Sequence, residues 1–200
     1  SMGALLLAGT LSAQTPVPEW QAGVDKMKSL IQTNPAQASE EVGELLKGKN
    51  KKNVDLVTSV AHVYLDAGKL TEAQEYLAMA KKADNKDPKV SVLEGDIALA
   101  QKNIGQACQL YEQAIYFDPN CKEAYLKYAQ AYKSASPALA IEKLEQLKTV
   151  DPNCLEADRE LAEVYYSSNR FGKAAEMYAK FIDTPLATED DMLKYAFALF

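Results

Sequence analysis

Two hundred residues, 48% hydrophobic and 25% charged, make a chain long enough for a substantial core and too apolar to be disordered by default. The formal net charge of −6 argues against a nucleic-acid partner, because phosphate neutralisation needs a concentrated basic surface. One histidine and three cysteines leave little from which to build a metal cluster or a nucleophile–base pair, so no catalytic residue, cofactor or metal site is expected.

In chain order, residues 1–15 open with an apolar run, Met2 to Ala13, followed by Gln14, Thr15 and Pro16. An apolar stretch ending in small residues resembles the back of a secretory signal, although a basic leading region is missing and Leu11 fits the cleavage pattern poorly. The segment is read as a signal-peptide remnant or an N-terminal apolar tail. A dozen residues fall short of the roughly 20 that a helix needs to cross a bilayer, so no transmembrane segment is expected. The signal reading places the protein in the periplasm or cell envelope; the alternative is the cytoplasm.

Residues 16–53 hold two amphipathic segments. Trp20, Val24, Met27 and Leu30 form one helical stripe over 16–33, and Val42, Leu45 and Leu46 another that runs to about Lys47. Asn34-Pro35 between them reads as an N-cap followed by proline in the first helical position. Lys47, Lys49, Lys51 and Lys52 are placed at the end of the second helix, where they complement its dipole. Gly43 to Asn50 nearly matches a phosphate-binding loop, but it ends a helix instead of opening one and carries Asn50 in place of the hydroxyl.

Residues 54–87 carry Val57, Val60, Ala61 and Tyr64 on a first helix, a break at Gly68, and Ala73, Leu77 and Ala80 on a second. Residues 88–121 repeat the scheme with Val92, Gly95 and Leu99, then Ala107, Tyr111 and Ala114. In 122–154 the marks are Tyr125, Tyr128, Ala129 and Tyr132, a Ser136-Pro137 cap, then Ala140, Leu144 and Leu147. In 155–188 they are Leu161, Ala162 and Tyr165, then Ala174, Tyr178 and Phe181. Residues 189–200 supply only a first helix, with Tyr195, Ala196 and Leu199. Acidic pairs at Glu40/Glu41 and along Glu189 to Asp191 are placed near helix starts.

The small-residue anchors recur at Ala73, Ala107, Ala140 and Ala174, steps of 34, 33 and 34 residues. A constant period of that size marks a repeat array. With helix pairs and no strand-like alternation, the chain resembles the tetratricopeptide repeat family. Tyr125, Tyr128, Ala129, Tyr132, Ala140, Leu144 and Pro152 fall in the Trp, Leu, Gly, Tyr, Ala, Phe and Pro slots of its pattern. The resemblance covers residues 54–200 closely and 17–53 loosely.

The resemblance implies an all-α, right-handed superhelical solenoid in which small residues let paired helices approach and tyrosines fill the gaps, making the Tyr stripe core material. It also implies a non-catalytic scaffold that binds a protein or peptide on a concave face built from the first helices. Extrapolated family geometry assigns to that face Asp55, Thr58, His62 and Leu65, then Lys89, Val92, Asp96 and Leu99. Next come Glu123, Leu126, Gln130 and Lys133, then Glu156, Arg159, Glu163 and Tyr166, and last Asp190, Leu193 and Phe197.

Members that clamp chaperone C-termini carry a Lys, Arg and Asn set that Thr58, His62 and Leu93 do not supply here; apolar lining with acidic relief suits a segment with apolar anchors and some positive charge. For His62, no cysteine, serine or carboxylate has a helical spacing that singles it out as a partner. Cys121 and Cys154 follow Asp-Pro-Asn in consecutive units, and stacking at about 8–10 Å exceeds the roughly 7 Å reach of a disulfide, so all three thiols are read as free.

The apolar face of Tyr195 to Phe200 lacks the second helix of its pair. The expectation is that the chain is a truncated piece, or that a second copy covers this end, giving a homodimer through it or through the N-terminal tail. Alternative functions are an accessory repeat region of a larger enzyme or envelope transport or assembly complex, or a self-associating structural protein.

Overall fold

The structure is a computed structural model that describes residues 16–200. The signal-remnant reading of residues 1–15 therefore lies outside the described residues. Among those described, eleven α-helices follow one another: α1 Gln21–Leu30, α2 Pro35–Leu45, α3 Val54–Asp66, α4 Leu70–Ala83, α5 Pro88–Ala100, α6 Ile104–Phe117, α7 Lys122–Tyr132, α8 Pro137–Val150, α9 Leu155–Ser167, α10 Phe171–Tyr178 and α11 Glu189–Ala198. Each odd-numbered helix up to α9 packs on the even-numbered helix that follows it. The odd-numbered helices α3, α5, α7 and α9 also pack side by side in sequence, making an all-α solenoid of consecutive pairs. None of the described helices is long and apolar enough to cross a membrane.

Local chemistry sets the helix starts. The side chains of Asn34, Asn53, Asp87 and Asn103 accept hydrogen bonds from backbone amides in the first turns of α2, α3, α5 and α6. Ser136 occupies the same position before α8 but makes no side-chain cap, so the Ser136-Pro137 start rests on the proline alone. The turn within a pair needs a left-handed residue at one place, which Gly68, Lys102 and Asn169 supply with φ of 75°, 64° and 57°.

Small residues bring each pair together. In register, Val57, Ala61 and Tyr64 of α3 correspond to Ser91, Gly95 and Ala98 of α5, to Tyr125, Ala129 and Tyr132 of α7, and to Asp158, Ala162 and Tyr165 of α9; all but the half-buried Tyr132 are buried. Tyr111 and Tyr178 are wholly buried, and Tyr125, Tyr128 and Tyr165 nearly so, which makes the Tyr stripe core.

Several expected boundaries move. The first helix begins at Gln21, not residue 16; Pro18 disfavours helical geometry at Val17 before it. α2 stops at Leu45, and Gly48–Lys52 form a 3-10 helix. The lysines therefore do not complement the last turn of α2: Lys47 pairs with Glu44 at 2.6 Å, and Lys49, Lys51 and Lys52 are exposed on the 3-10 helix. Asn50 Nδ2 donates to the Leu45 carbonyl at 2.9 Å, closing the helix end. Glu40 and Glu41 lie inside α2, where Glu41 pairs with Lys26 at 2.5 Å. α10 ends at Tyr178, and Phe181 is fully buried in the turn beyond it.

Candidate functional site

The 34-residue period aligns side chains across the face of α3, α5, α7 and α9. Asp55, Lys89, Glu123 and Glu156 form one row; Thr58, Val92, Leu126 and Arg159 a second; His62, Asp96, Gln130 and Glu163 a third. A pocket of about 340 Å³ opens where the first three helices meet, lined by Asp55, Thr58, Ser59 and His62 of α3, Lys89 and Val92 of α5, and Glu123 of α7, with Pro18 and Trp20 closing it from the N-terminal side. A second pocket of about 230 Å³ lies further along, among Asp96, Leu99, Tyr111, Lys127, Gln130 and Ala131.

Of the expected site residues, His62 and Val92 line the first pocket and Asp96 and Gln130 the second. Leu126 is half-buried on α7, and Lys133 stands at its C-cap. Arg159, Glu163, Tyr166, Leu193 and Phe197 line neither pocket. Tyr166 meets Phe171 and Phe197 edge-on, with centroids 5.4 and 6.0 Å apart, making an aromatic cluster at the C-terminal end of the face. Leu193 and Phe197 are exposed.

The acidic relief expected on this face is largely consumed by ion pairs. Lys89 pairs with Asp55, and Lys122 with Glu156 at 3.1 Å, each one repeat apart. Arg159 Nη2 lies 3.1 Å from Asp191, and Lys194 reaches Glu163 at 2.9 Å. Glu163 also accepts the Tyr178 hydroxyl at 2.8 Å.

His62 has the partner that helical spacing did not reveal: its Nε2 lies 3.0 Å from Asp96 Oδ2, 34 residues on. The signal was the repeat period itself, which places equivalent residues of adjacent first helices side by side. Asp96 also accepts the Tyr111 hydroxyl at 2.7 Å and Lys127 Nζ at 2.9 Å. Burial would raise its pKa, but the bonds from His62, Lys127 and Tyr111 hold it below its ordinary 3.8. It is an ionised anchor tying α3, α5, α6 and α7 together. Burial pushes the Tyr111 phenol up, and the adjoining Asp96 charge pushes it further.

Trp20, Pro18, Ser59, Lys127, Tyr111 and Ala131 are the lining residues that sequence reasoning missed. Lys127 has Ser59, Leu93 and Glu160 as its repeat equivalents, so no recurring basic residue marks it. Trp20 lies just ahead of α1 and enters the pocket only through the tertiary packing of its segment. The three thiols are free, and burial pushes that of Cys108 up to about 11.

The family model described as tetratricopeptide repeat matches residues 58–120 and 130–187. A comparison with curated proteins gave no match. Among solved structures, PilW, described as a widely conserved type IV pilus biogenesis factor, is 18% identical with a TM-score of 0.67 over 92% of this chain and 87% of its own. A thermophilic repeat protein of Thermus thermophilus is 19% identical, TM-score 0.68, over 90% and 98%. YrrB, a repeat protein described as having an unusual peptide-binding site, is 17% identical, TM-score 0.53, over 88% of each chain. Likeness at these identities speaks for the fold.

Proposed function

The chain belongs to the tetratricopeptide repeat family, and from that premise we propose that it is a non-catalytic interaction scaffold binding an extended peptide or protein segment along the face of α3, α5, α7 and α9. The observation that carries this reading is the pocket on the repeat register, where the half-buried Trp20 offers apolar contact beside charges that are already paired, with Val92 buried in its floor. Recognition then rests on apolar anchors and backbone hydrogen bonds more than on charge, since a carboxylate held in an ion pair gains little from a second cation.

A phage-displayed peptide library selected on the folded chain tests it. Affinities of the selected peptides are measured for the original protein and for Trp20→Ala and Leu126→Ala, after circular dichroism shows that the variants melt alike. Loss of a central anchor should weaken binding about tenfold or more. Equal binding by all three proteins, or no selected peptide, overturns the groove reading.

The exposed side chains of Met192, Leu193 and Phe197 on α11 and of Leu199 at its C-cap favour a second reading, a repeat region of a larger assembly or a self-associating protein. Light scattering across a concentration series tests self-association. We infer export to the cell envelope from the apolar Met2 to Ala13 stretch, supported by the likeness to PilW. Fractionation of cells expressing the full reading frame tests this, and recovery only with cytoplasmic markers overturns it.

A further inference from the structure

We propose that His62 is a proton-controlled clasp between the repeats of residues 54–87 and 88–121, holding α3 against α5 along the groove while its ring is an imidazolium and loosening that contact when one proton leaves to solvent. His62 Nδ1 lies 2.9 Å from the Thr58 carbonyl oxygen, and Nε2 lies 3.0 Å from Asp96 Oδ2. A carbonyl and an ionised carboxylate can only accept, so both ring nitrogens must donate, and only the imidazolium can do that. A neutral ring turns one lone pair onto an acceptor and gives up either the bond to its own helix or the bond to α5.

Every charged group around the ring belongs to the same network. Asp55 lies on α3; Asp96 and Lys89 come from α5, Glu123 and Lys127 from α7, and Tyr111 of α6 reaches Asp96. With the ring protonated, His62, Lys89 and Lys127 balance Asp55, Asp96 and Glu123; the neutral ring leaves the two adjoining pockets with one excess negative charge. Burial lowers the imidazole pKa, but the hydrogen bond and charge of Asp96 carry it above the ordinary 6.5. The clasp is thus complete below pH 6.5 and is lost as pH rises through the folded-state value. Its existence does not depend on the groove reading; its consequence for binding does.

The chain contains a single histidine and a single tryptophan, and His62 and Trp20 line the same pocket, so both readouts are unambiguous and need no peptide. Nuclear magnetic resonance of the labelled chain should show both ring nitrogens protonated at pH 6. The titration midpoint should lie above that of the urea-unfolded chain and fall by about one unit or more in Asp96→Asn. The Trp20 emission maximum should shift with the same midpoint, and His62→Gln, which keeps a polar side chain there, should abolish the shift. A folded-state midpoint at or below the unfolded one overturns the clasp, with or without a folded Asp96→Asn variant. Emission that does not change with pH, or that still changes in His62→Gln, overturns the control of the groove.

Discussion

Replacing Gly95 by alanine sets two effects of known sign against each other. Gly95 lies within α5, and an exposed helical position of this kind would gain about 0.5–1 kcal/mol from the substitution. Here an added Cβ would come within 2.5 Å of Tyr111 Cε1 and 2.8 Å of Cδ1. The Tyr111 ring is fully buried, and its hydroxyl is fixed on Asp96, so it cannot swing aside without losing that bond.

Overpacking of this kind costs roughly 1–3 kcal/mol, and disturbing a hydrogen bond to a charged group costs about 1.5–3 kcal/mol more if it breaks. The net expectation is a loss of about 2 kcal/mol, a fall in melting temperature of roughly 4–8 °C for a chain of this size. Gly43→Ala on α2 is the control, since a Cβ there meets nothing within 4 Å and should stabilise by about 0.5–1 kcal/mol. Paired thermal melts and urea titrations read both. In a Tyr111→Leu background Gly95→Ala should cost clearly less, because the ring it strikes is gone. A Gly95→Ala protein as stable as the original would refute the close approach of α5 and α6.

Asp158 is 2% exposed and holds Lys148 at 2.8 Å and Lys180 at 3.2 Å, so Asp158→Ala leaves the half-buried Lys148 without its carboxylate and should cost about 3 kcal/mol in urea titration, the low end for a buried pair because both lysines reach solvent. Glu44→Ala removes an exposed partner of Lys47 and should stay within about 1 kcal/mol of the original. Thr188 and Asp191 form a reciprocal capping box at the start of α11, and Thr188→Ala should cost about 1 kcal/mol, seen as faster hydrogen exchange confined to that helix. Burial raises the Asp191 pKa, but bonds from Thr188 and Arg159 hold it below 3.8. Its contribution is therefore present above that pH and lost on acidification through the lower folded-state value, so exchange in α11 should accelerate there first.

The amino-acid sequence by itself determined the solenoid: the helix pairs, the 34-residue register, and the burial of Ala61, Gly95, Tyr111, Leu144 and Tyr178. Apolar periodicity is legible because every repeat restates it, and burial asks only that a side chain be apolar and of the right size. Helix ends were less legible where proline placement or an unforeseen 3-10 turn decided them, as at Gln21 and Leu45.

The polar architecture was decided by tertiary structure. His62 and Asp96 stood in register in the sequence, yet nothing there said that Tyr111 would reach Asp96 from α6, that Lys127 would reach it from α7, or that Trp20 would close the pocket. Hydrogen bonds and ion pairs are satisfied by particular atoms at particular distances. A polar residue therefore acquires its role only when neighbouring helices fix which acceptor, donor or charge it meets.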